Sequence, residues 1–99
     1  ANNISIDPIK TADQFSNPED PNALIADLLE FLHTVTVSED QKEYMRSVLL
    51  AGQAQNKYWT DAWNDHKNDP TDQVKLNTVK TRLQQLMKYL MNLSEFQLS

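Results

Sequence analysis

Residues 73–92, QVKLNTVKTRLQQLMKYLMN, form the most regular stretch of the chain. On a helix its apolar side chains occupy an arc of roughly 140°, which is wide enough for a buried face. They are Leu76, Val79, Leu83, Leu86, Met87, Leu90 and Met91. The stretch therefore predicts the longest helix of the protein, and we expect its apolar stripe to be the centre of the core.

Two helix starts are visible upstream of this stretch. Asp20 supplies an N-cap acceptor, and Pro21 takes the first helical position, where its missing N–H costs nothing. Ser38 and Gln41 form a capping box, in which the serine oxygen accepts from the Gln41 amide and the Gln41 side chain reaches back. Helices are therefore predicted to begin one residue after Asp20 and one residue after Ser38.

Two helix ends follow from single residues. Gly52 is expected to supply the left-handed C-terminal cap of the second helix. Asp69 precedes Pro70 and is pushed out of helical geometry, which ends the third helix. Together with the apolar periodicity, these signals predict four helices over about 21–33, 39–51, 56–68 and 73–92.

The first nineteen residues lack helical periodicity and contain two of the four prolines, Pro8 and Pro18. Such a stretch favours an extended arm or linker. The chain is therefore divided into an arm over 1–19 and a helical domain over 20–99. We expect limited proteolysis to trim the arm and leave most of the helical signal.

The composition favours helices over sheets. The chain has one glycine in 99 residues and no Asn-Gly or Asp-Gly pair, which disfavours the tight hairpins of a sheet-rich protein. Short connections favour helices packed up and down. The predicted fold is all-α, a small and mainly antiparallel bundle of four helices preceded by the extended arm.

Charge is unevenly distributed along the chain, whose formal net charge is −5. Residues 1–40 carry −7, residues 41–72 carry −1 and residues 73–99 carry +3. This favours an acidic N-terminal part that faces a basic last helix within one fold. The four cations of the last segment are too few for a nucleic-acid footprint, so no nucleic-acid partner is predicted.

No apolar run reaches the roughly 18 residues that a membrane span needs, so no span is predicted.

The sequence contains no recognisable motif for catalysis or metal binding. His33 and His66 stand 33 positions apart, and the chain has no cysteine, so the minimum for a zinc site is missing. One glycine leaves no phosphate-binding loop, and no serine or threonine has the glycine-flanked setting of a nucleophile elbow. We predict no catalytic, metal-binding or cofactor-binding residue, and no cofactor.

A cluster of large aromatic residues is the one candidate ligand or interface site. Tyr58, Trp59 and Trp63 share a helix face and form either a platform that stacks on a sugar or peptide, or part of the core. The helical spacing favours the core, with Trp59 more buried than Trp63. Leu50 falls off the stripe of the second helix, so it is covered by a neighbouring element or contacts a partner.

The last part of the chain, residues 49–99, resembles the C-terminal end of a large bacterial family called domain of unknown function eighteen hundred. With a similar segment at residues 20–25, the resemblance covers about residues 20–99. The residues that carry it are Tyr58-Trp59-Thr60, Trp63, Asp69-Pro70-Thr71, Val79, Thr81-Arg82-Leu83, Tyr89-Leu90 and Ser94-Glu95-Phe96-Gln97-Leu98.

The resemblance implies a fragment from the C-terminus of a bacterial protein several times longer and often exported, which places it in the periplasm, at the cell surface or outside the cell. It brings no catalytic residues. Its implied partner is the remainder of the parent chain, with a further protein partner as an option; the oligomeric state stays open.

Three functions follow as hypotheses. The first is a non-catalytic structural or interaction domain that caps the end of the parent protein. The second is a ligand-binding module that uses the aromatic face of Tyr58, Trp59 and Trp63. The third is one wall of an enzyme site that upstream domains complete.

Overall fold

A computed structural model describes residues 7–32 and 36–98, with the side chains of 7–31 and 36–93. Within these ranges the regular structure is entirely helical, which confirms the all-α class. There are five helices: α1 Pro8–Asp13, α2 Pro21–Leu32, α3 Glu39–Leu49, α4 Lys57–Asn68 and α5 Gln73–Leu98. The predictions for residues 1–6 and for His33 fall outside the described residues.

The helix α1 was not predicted, and the prediction of an extended arm is wrong over its length. Asp7 caps the helix, since its Oδ1 accepts hydrogen bonds from two amides of the first turn at 3.0 and 3.2 Å. Pro8 stands at the first helical position. A helix of 6 residues is too short to persist alone, but Pro8 and Ala12 are buried, so packing stabilises it.

The last helix is longer than predicted, because α5 continues to Leu98 instead of ending near residue 92. Residues 93–98 read LSEFQL and contain neither glycine nor proline. Leucine, glutamate and glutamine are good helix formers, so nothing local stops the helix. The other ends of the four predicted helices agree to within two residues.

α3 packs antiparallel against the C-terminal half of α5. Tyr44, in the middle of α3, packs on Tyr89 with ring centroids 4.7 Å apart. Leu49, at the end of α3, accepts a hydrogen bond from Arg82 Nη1 through its carbonyl at 3.3 Å. Residue numbers rise along α3 as they fall along α5, so the two helices run in opposite directions.

α4 continues in the same direction along the N-terminal half of α5. The Tyr58 carbonyl, in the first turn of α4, accepts a hydrogen bond from Arg82 Nη1 at 3.1 Å. Asp69, which follows α4, pairs with Lys75 at 3.6 Å. α3 and α4 therefore lie end to end on α5, with Arg82 at their junction, which differs from the predicted up-and-down bundle. Burial lowers the pKa of the Arg82 guanidinium from its ordinary value.

A Schellman motif ends α3. The Gly52 amide donates to the Ser47 carbonyl at 2.9 Å, and the Ala51 amide donates to the Val48 carbonyl at 3.2 Å. Gly52 is left-handed as predicted, with φ 82°, but the capping position itself is taken by Ala51, which is left-handed too, with φ 53°. For a residue with a Cβ this geometry costs about 1–2 kcal/mol.

The N-terminal segment, defined here as residues 7–20, runs along α4 and packs α1 against α5. Three polar contacts join it to α4 across 41 to 54 residues of sequence. Trp59 Nε1 donates to the Pro18 carbonyl at 2.7 Å, Thr60 Oγ1 donates to the Glu19 carbonyl at 2.7 Å, and Lys67 Nζ pairs with Asp13 Oδ1 at 2.8 Å. The segment is therefore part of the folded unit.

The apolar stripe of α5 lies at the centre of the core, as predicted. Val79, Leu83, Leu86, Met87 and Leu90 are buried, and they pack with Leu24, Ile25, Leu28, Met45, Leu49, Leu50, Trp59 and Trp63. The two ends of the stripe differ from the prediction: Leu76 is half-buried and Met91 is 57% exposed.

Candidate functional site

The two indole rings of the aromatic cluster lie in the core. Trp59 is 0% exposed and Trp63 is 3% exposed, with ring centroids 5.8 Å apart, whereas Tyr58 is 43% exposed. The Trp59 indole N–H also donates a hydrogen bond to the Pro18 carbonyl. An exposed stacking platform needs open ring faces, and of these three side chains only Tyr58 is exposed, so the burial agrees with the core interpretation.

Leu50, the other candidate interface residue, is 0% exposed. It stands directly after α3 as the C-cap residue, and its amide donates to the Arg46 carbonyl. The turn that follows carries the chain to α4, and Leu50 joins the same core cluster as Trp59. Its position off the helix stripe is thus explained by coverage within the chain.

His66 is 7% exposed and meets the edge of the Trp63 ring, with ring centroids 6.2 Å apart. Among the described residues its Nδ1 has no hydrogen-bond partner. The described residues contain no group of three or more side chains that could hold a metal ion.

A groove of about 470 Å³ runs between α2 and α3. Its α2 wall is made of Asn22, Ile25, Ala26 and Leu29, and its α3 wall of Glu39, Lys42 and Glu43. Ile25 is buried in the groove floor, while Ala26 is exposed and Leu29 is half-buried. The groove therefore has an apolar floor on one side and a charged rim on the other.

Local capping fixes the position of this rim. Ser38 Oγ accepts from the Gln41 amide at 3.2 Å, and Gln41 Oε1 accepts from the Ser38 amide at 2.8 Å, so the predicted capping box is confirmed. Because the box sets the start of α3, Glu39 and Glu43 fall four residues apart on the helix side that faces α2.

Two ion pairs within α3 hold the rim side chains. Lys42 Nζ lies 3.5 Å from Glu39 Oε1, and Arg46 Nη2 lies 2.7 Å from Glu43 Oε1. The hydrogen bonds from Arg46, together with its charge, hold the pKa of Glu43 below its ordinary value, and the same hydrogen bonds, together with the negative charge of Glu43, raise the pKa of Arg46. Glu43 therefore keeps its negative charge to lower pH than a free carboxylate.

The groove lies within the most acidic part of the chain. Residues 20–43 contain six acids and one base, while the rest of the chain contains eight of each. The formal charge of −5 is thus carried entirely by this stretch. The Glu39 and Glu43 side chains are 91% and 65% exposed, so their charges face solvent.

A smaller hollow of about 300 Å³ lies on the opposite flank of α2. Phe15 and Phe31 meet edge to face there with ring centroids 6.3 Å apart, and Asp27 and Glu30 line the same hollow. Phe31 is 50% exposed. Both flanks of α2 therefore combine apolar and acidic side chains.

Sequence reasoning did not find the groove. The sequence does show the acidity of the first 40 residues, and Ala26 is a small side chain between larger apolar ones. Residues 22 and 43 are distant in sequence and line one groove only because α2 packs against α3, which no local signal marks.

The described helices include none with the length and apolar content needed to cross a membrane. Comparisons of the chain with protein-family models, with curated proteins and with solved structures found no match.

Proposed function

We propose that this chain is a non-catalytic structural or interaction domain at the C-terminus of a larger, exported bacterial protein. The observation that carries the interaction role is the groove between α2 and α3, where an apolar floor meets the exposed carboxylates of Glu39 and Glu43. Grooves of this kind between two helices are a recurring way to bind a helical segment.

Exposed apolar side chains give further support. Phe31 and Tyr44 on α2 and α3 are 50% and 52% exposed, and Val74 and Met91 on α5 are 75% and 57% exposed. Single exposed apolar residues are normal on a protein surface. Phe31 is the more informative one, because it lies beside a hollow and on the same helix as the groove.

The place of the domain at the end of a longer exported protein rests on the resemblance of residues 20–99 to the C-terminal end of the family called domain of unknown function eighteen hundred. The residues of that resemblance include Trp59 and Trp63, which are buried, and Arg82, which joins α3 to α4. The matched positions are thus ones on which the helical fold depends.

The experiment begins with the genomic sequence upstream of residue 1. The proposal expects an open reading frame that continues upstream and begins with an export signal. The upstream part is then expressed separately, mixed with this chain and analysed by size-exclusion chromatography. A complex of the two pieces supports an interaction domain of the parent protein.

Two results would contradict the proposal. One is a start codon immediately before this chain, with no upstream coding sequence. The other is an upstream part that folds and stays separate from this chain at concentrations up to about 100 μM, since even weak specific association is measurable there.

A further inference from the structure

We propose that the groove between α2 and α3 docks a cationic amphipathic helix of a protein partner. The inference rests on the proposed interaction role and goes further, since it names the surface and the chemistry of what binds there. Two features carry it: the shape of the groove and the location of the charge.

The shape suits a helix. α2 and α3 pack against each other, and the groove between them is lined by two turns of α2, from Asn22 to Leu29, and by the start of α3, from Glu39 to Glu43. The groove volume of about 470 Å³ is large enough for several apolar side chains, which a helix presents at every third or fourth position. Ile25, Ala26 and Leu29 provide the apolar contact surface.

The charge selects the sign of the partner. Glu39 and Glu43 line the groove with exposed carboxylates, and Lys42 is the only base between residues 20 and 43. Lys42 pairs with Glu39 and Arg46 pairs with Glu43, so these four charges balance, while the other four acids of residues 20–43 have no base within that stretch to offset them. A helix with lysine or arginine beside its apolar stripe complements this rim, whereas nucleic acids and anionic membranes carry the repelled sign.

The test uses a fluorescein-labelled peptide of leucine and lysine, patterned as an amphipathic helix about 14 residues or about 21 Å long. Binding to the full chain is followed by fluorescence anisotropy in low salt and in about 0.15 M salt, where exposed charges are screened beyond about 8 Å. Two control peptides have the same leucines with glutamate in place of lysine, and the same composition in an order that destroys the apolar stripe.

Matched variants separate the groove from general charge attraction. Glu39→Gln with Glu43→Gln removes two charges from the rim. Asp61→Asn with Asp65→Asn removes two exposed charges from α4, away from the groove. We expect the rim pair to weaken binding about tenfold and the α4 pair less than about twofold, because charges act mainly on close partners.

A second pair of variants tests the apolar floor. Ala26→Gln places a longer side chain in the groove at an exposed helix position, where glutamine is a good helix former. Asn64→Gln makes a similar change on the exposed face of α4. Ala26→Gln should weaken binding about tenfold, whereas Asn64→Gln should leave it unchanged, and far-UV circular dichroism checks that each variant is folded.

Three results would overturn the inference: no binding of the cationic peptide, equal binding of the peptide without an apolar stripe, or equal losses for the rim pair and the α4 pair. These outcomes differ from a failure of the proposed function. If the upstream part of the parent binds wild-type chain and Ala26→Gln equally, the interaction role stands and the groove is not its site. If the peptide occupies the groove but no upstream part exists, the groove stands and the parent-protein proposal fails.

Discussion

The N-terminal segment and α2 both pack against a later part of the chain, but they are held in different ways. The N-terminal segment is fixed to α4 by polar contacts that span 41 to 54 residues of sequence, and one of them uses a fully buried indole. α2 meets α3 through apolar side chains, and the polar groups at the rim of that interface are paired within α3 itself.

The difference shows how one small fold contains both a closed and an open interface. Where the Trp59 indole donates to the Pro18 carbonyl, a polar backbone group is satisfied inside the protein and the interface is closed. Glu39 and Lys42 form an ion pair with each other along α3, so neither charge needs a partner on α2, and a groove remains beside them. The first interface stabilises the fold, and the second leaves the groove that we propose as a binding surface.

The largest expected effect comes from the closed interface. Trp59→Ala removes a fully buried ring together with its hydrogen bond to Pro18, and it should lower the free energy of unfolding by about 3–5 kcal/mol. Leu29→Ala, in the half-buried groove wall, should cost about 1–2 kcal/mol, because less apolar surface is lost. Urea unfolding followed by circular dichroism measures both.

Equal costs for the two variants would remove the distinction between a closed and an open interface. If Trp59→Ala leaves no folded protein, Trp59→Phe replaces it, since this change keeps an aromatic ring and removes the N–H. Trp63→Phe is its control for ring size. Trp59→Phe should then be the more destabilising, by the roughly 0.5–1.5 kcal/mol of a hydrogen bond.

The sequence predicted best those features that a few adjacent residues decide. Ser38 and Gln41 set the start of α3, and Pro21 starts α2, because a cap needs only residues within one turn. The buried stripe of α5 was likewise predictable, because helical spacing places Val79, Leu83 and Leu86 on one face whatever surrounds them.

The missed helix α1 had a signal of the same kind. Asp7-Pro8 repeats the cap and proline of Asp20-Pro21, and Asp7 does cap α1. Without an apolar stripe the segment cannot stand as a helix alone, so its helicity depends on burial of Ala12 among distant residues. The sequence predicted that proteolytic removal of residues 1–19 would leave most of the helical signal. Since α1 packs on the core, we now expect that removal to lower the stability of the fold.

The end-to-end arrangement of α3 and α4 had no local signal. In the sequence, Arg82 lies at the edge of the α5 stripe and resembles an ordinary surface residue. In the structure it donates hydrogen bonds to backbone carbonyls of α3 and α4. Backbone carbonyls are present in every helix, so no residue type marks the partner in the sequence. The groove was missed for the same reason, since it lies between elements and not within one.

A smaller effect is expected from the cap of α3, which is local. Ser38→Ala should cost about 0.5–2 kcal/mol, because the Gln41 amide loses its acceptor. The loss should appear as faster hydrogen exchange in the first turn of α3, while the Trp59 indole proton keeps its protection. The control Ser47→Ala removes a serine from the same helix that donates only to the Tyr44 carbonyl. Equal loss of protection at Trp59 would mean that the two interfaces unfold as one.

The long-range ion pair should contribute less. Lys67 and Asp13 are 2.8 Å apart, with side chains 47% and 42% exposed, so a double-mutant cycle with Lys67→Met and Asp13→Asn should give about 0.2–1 kcal/mol. The local pair Lys42 and Glu39, at 3.5 Å, should give less and also decline with salt. A larger coupling in the local pair would reverse the comparison.

The smallest effect is a pH dependence confined to α3. Arg46 holds the pKa of Glu43 below its ordinary value through three hydrogen-bond contacts at 2.7 to 3.2 Å. Because the unfolded chain binds this proton at higher pH than the folded chain does, the pair stabilises the fold fully above the ordinary glutamate pKa of about 4.3. That stability is lost as pH falls through the lower pKa of the folded state. The difference in urea midpoint between wild type and Glu43→Gln should therefore be largest near neutral pH and shrink below about pH 4. A second measurement tests the cause of the lowered pKa.

By NMR, the titration midpoint of the Glu43 side chain should rise toward its ordinary value in Arg46→Met. An unchanged midpoint in that variant would mean that Arg46 does not lower the pKa of Glu43, and that the charge of the groove is independent of the pairing within α3.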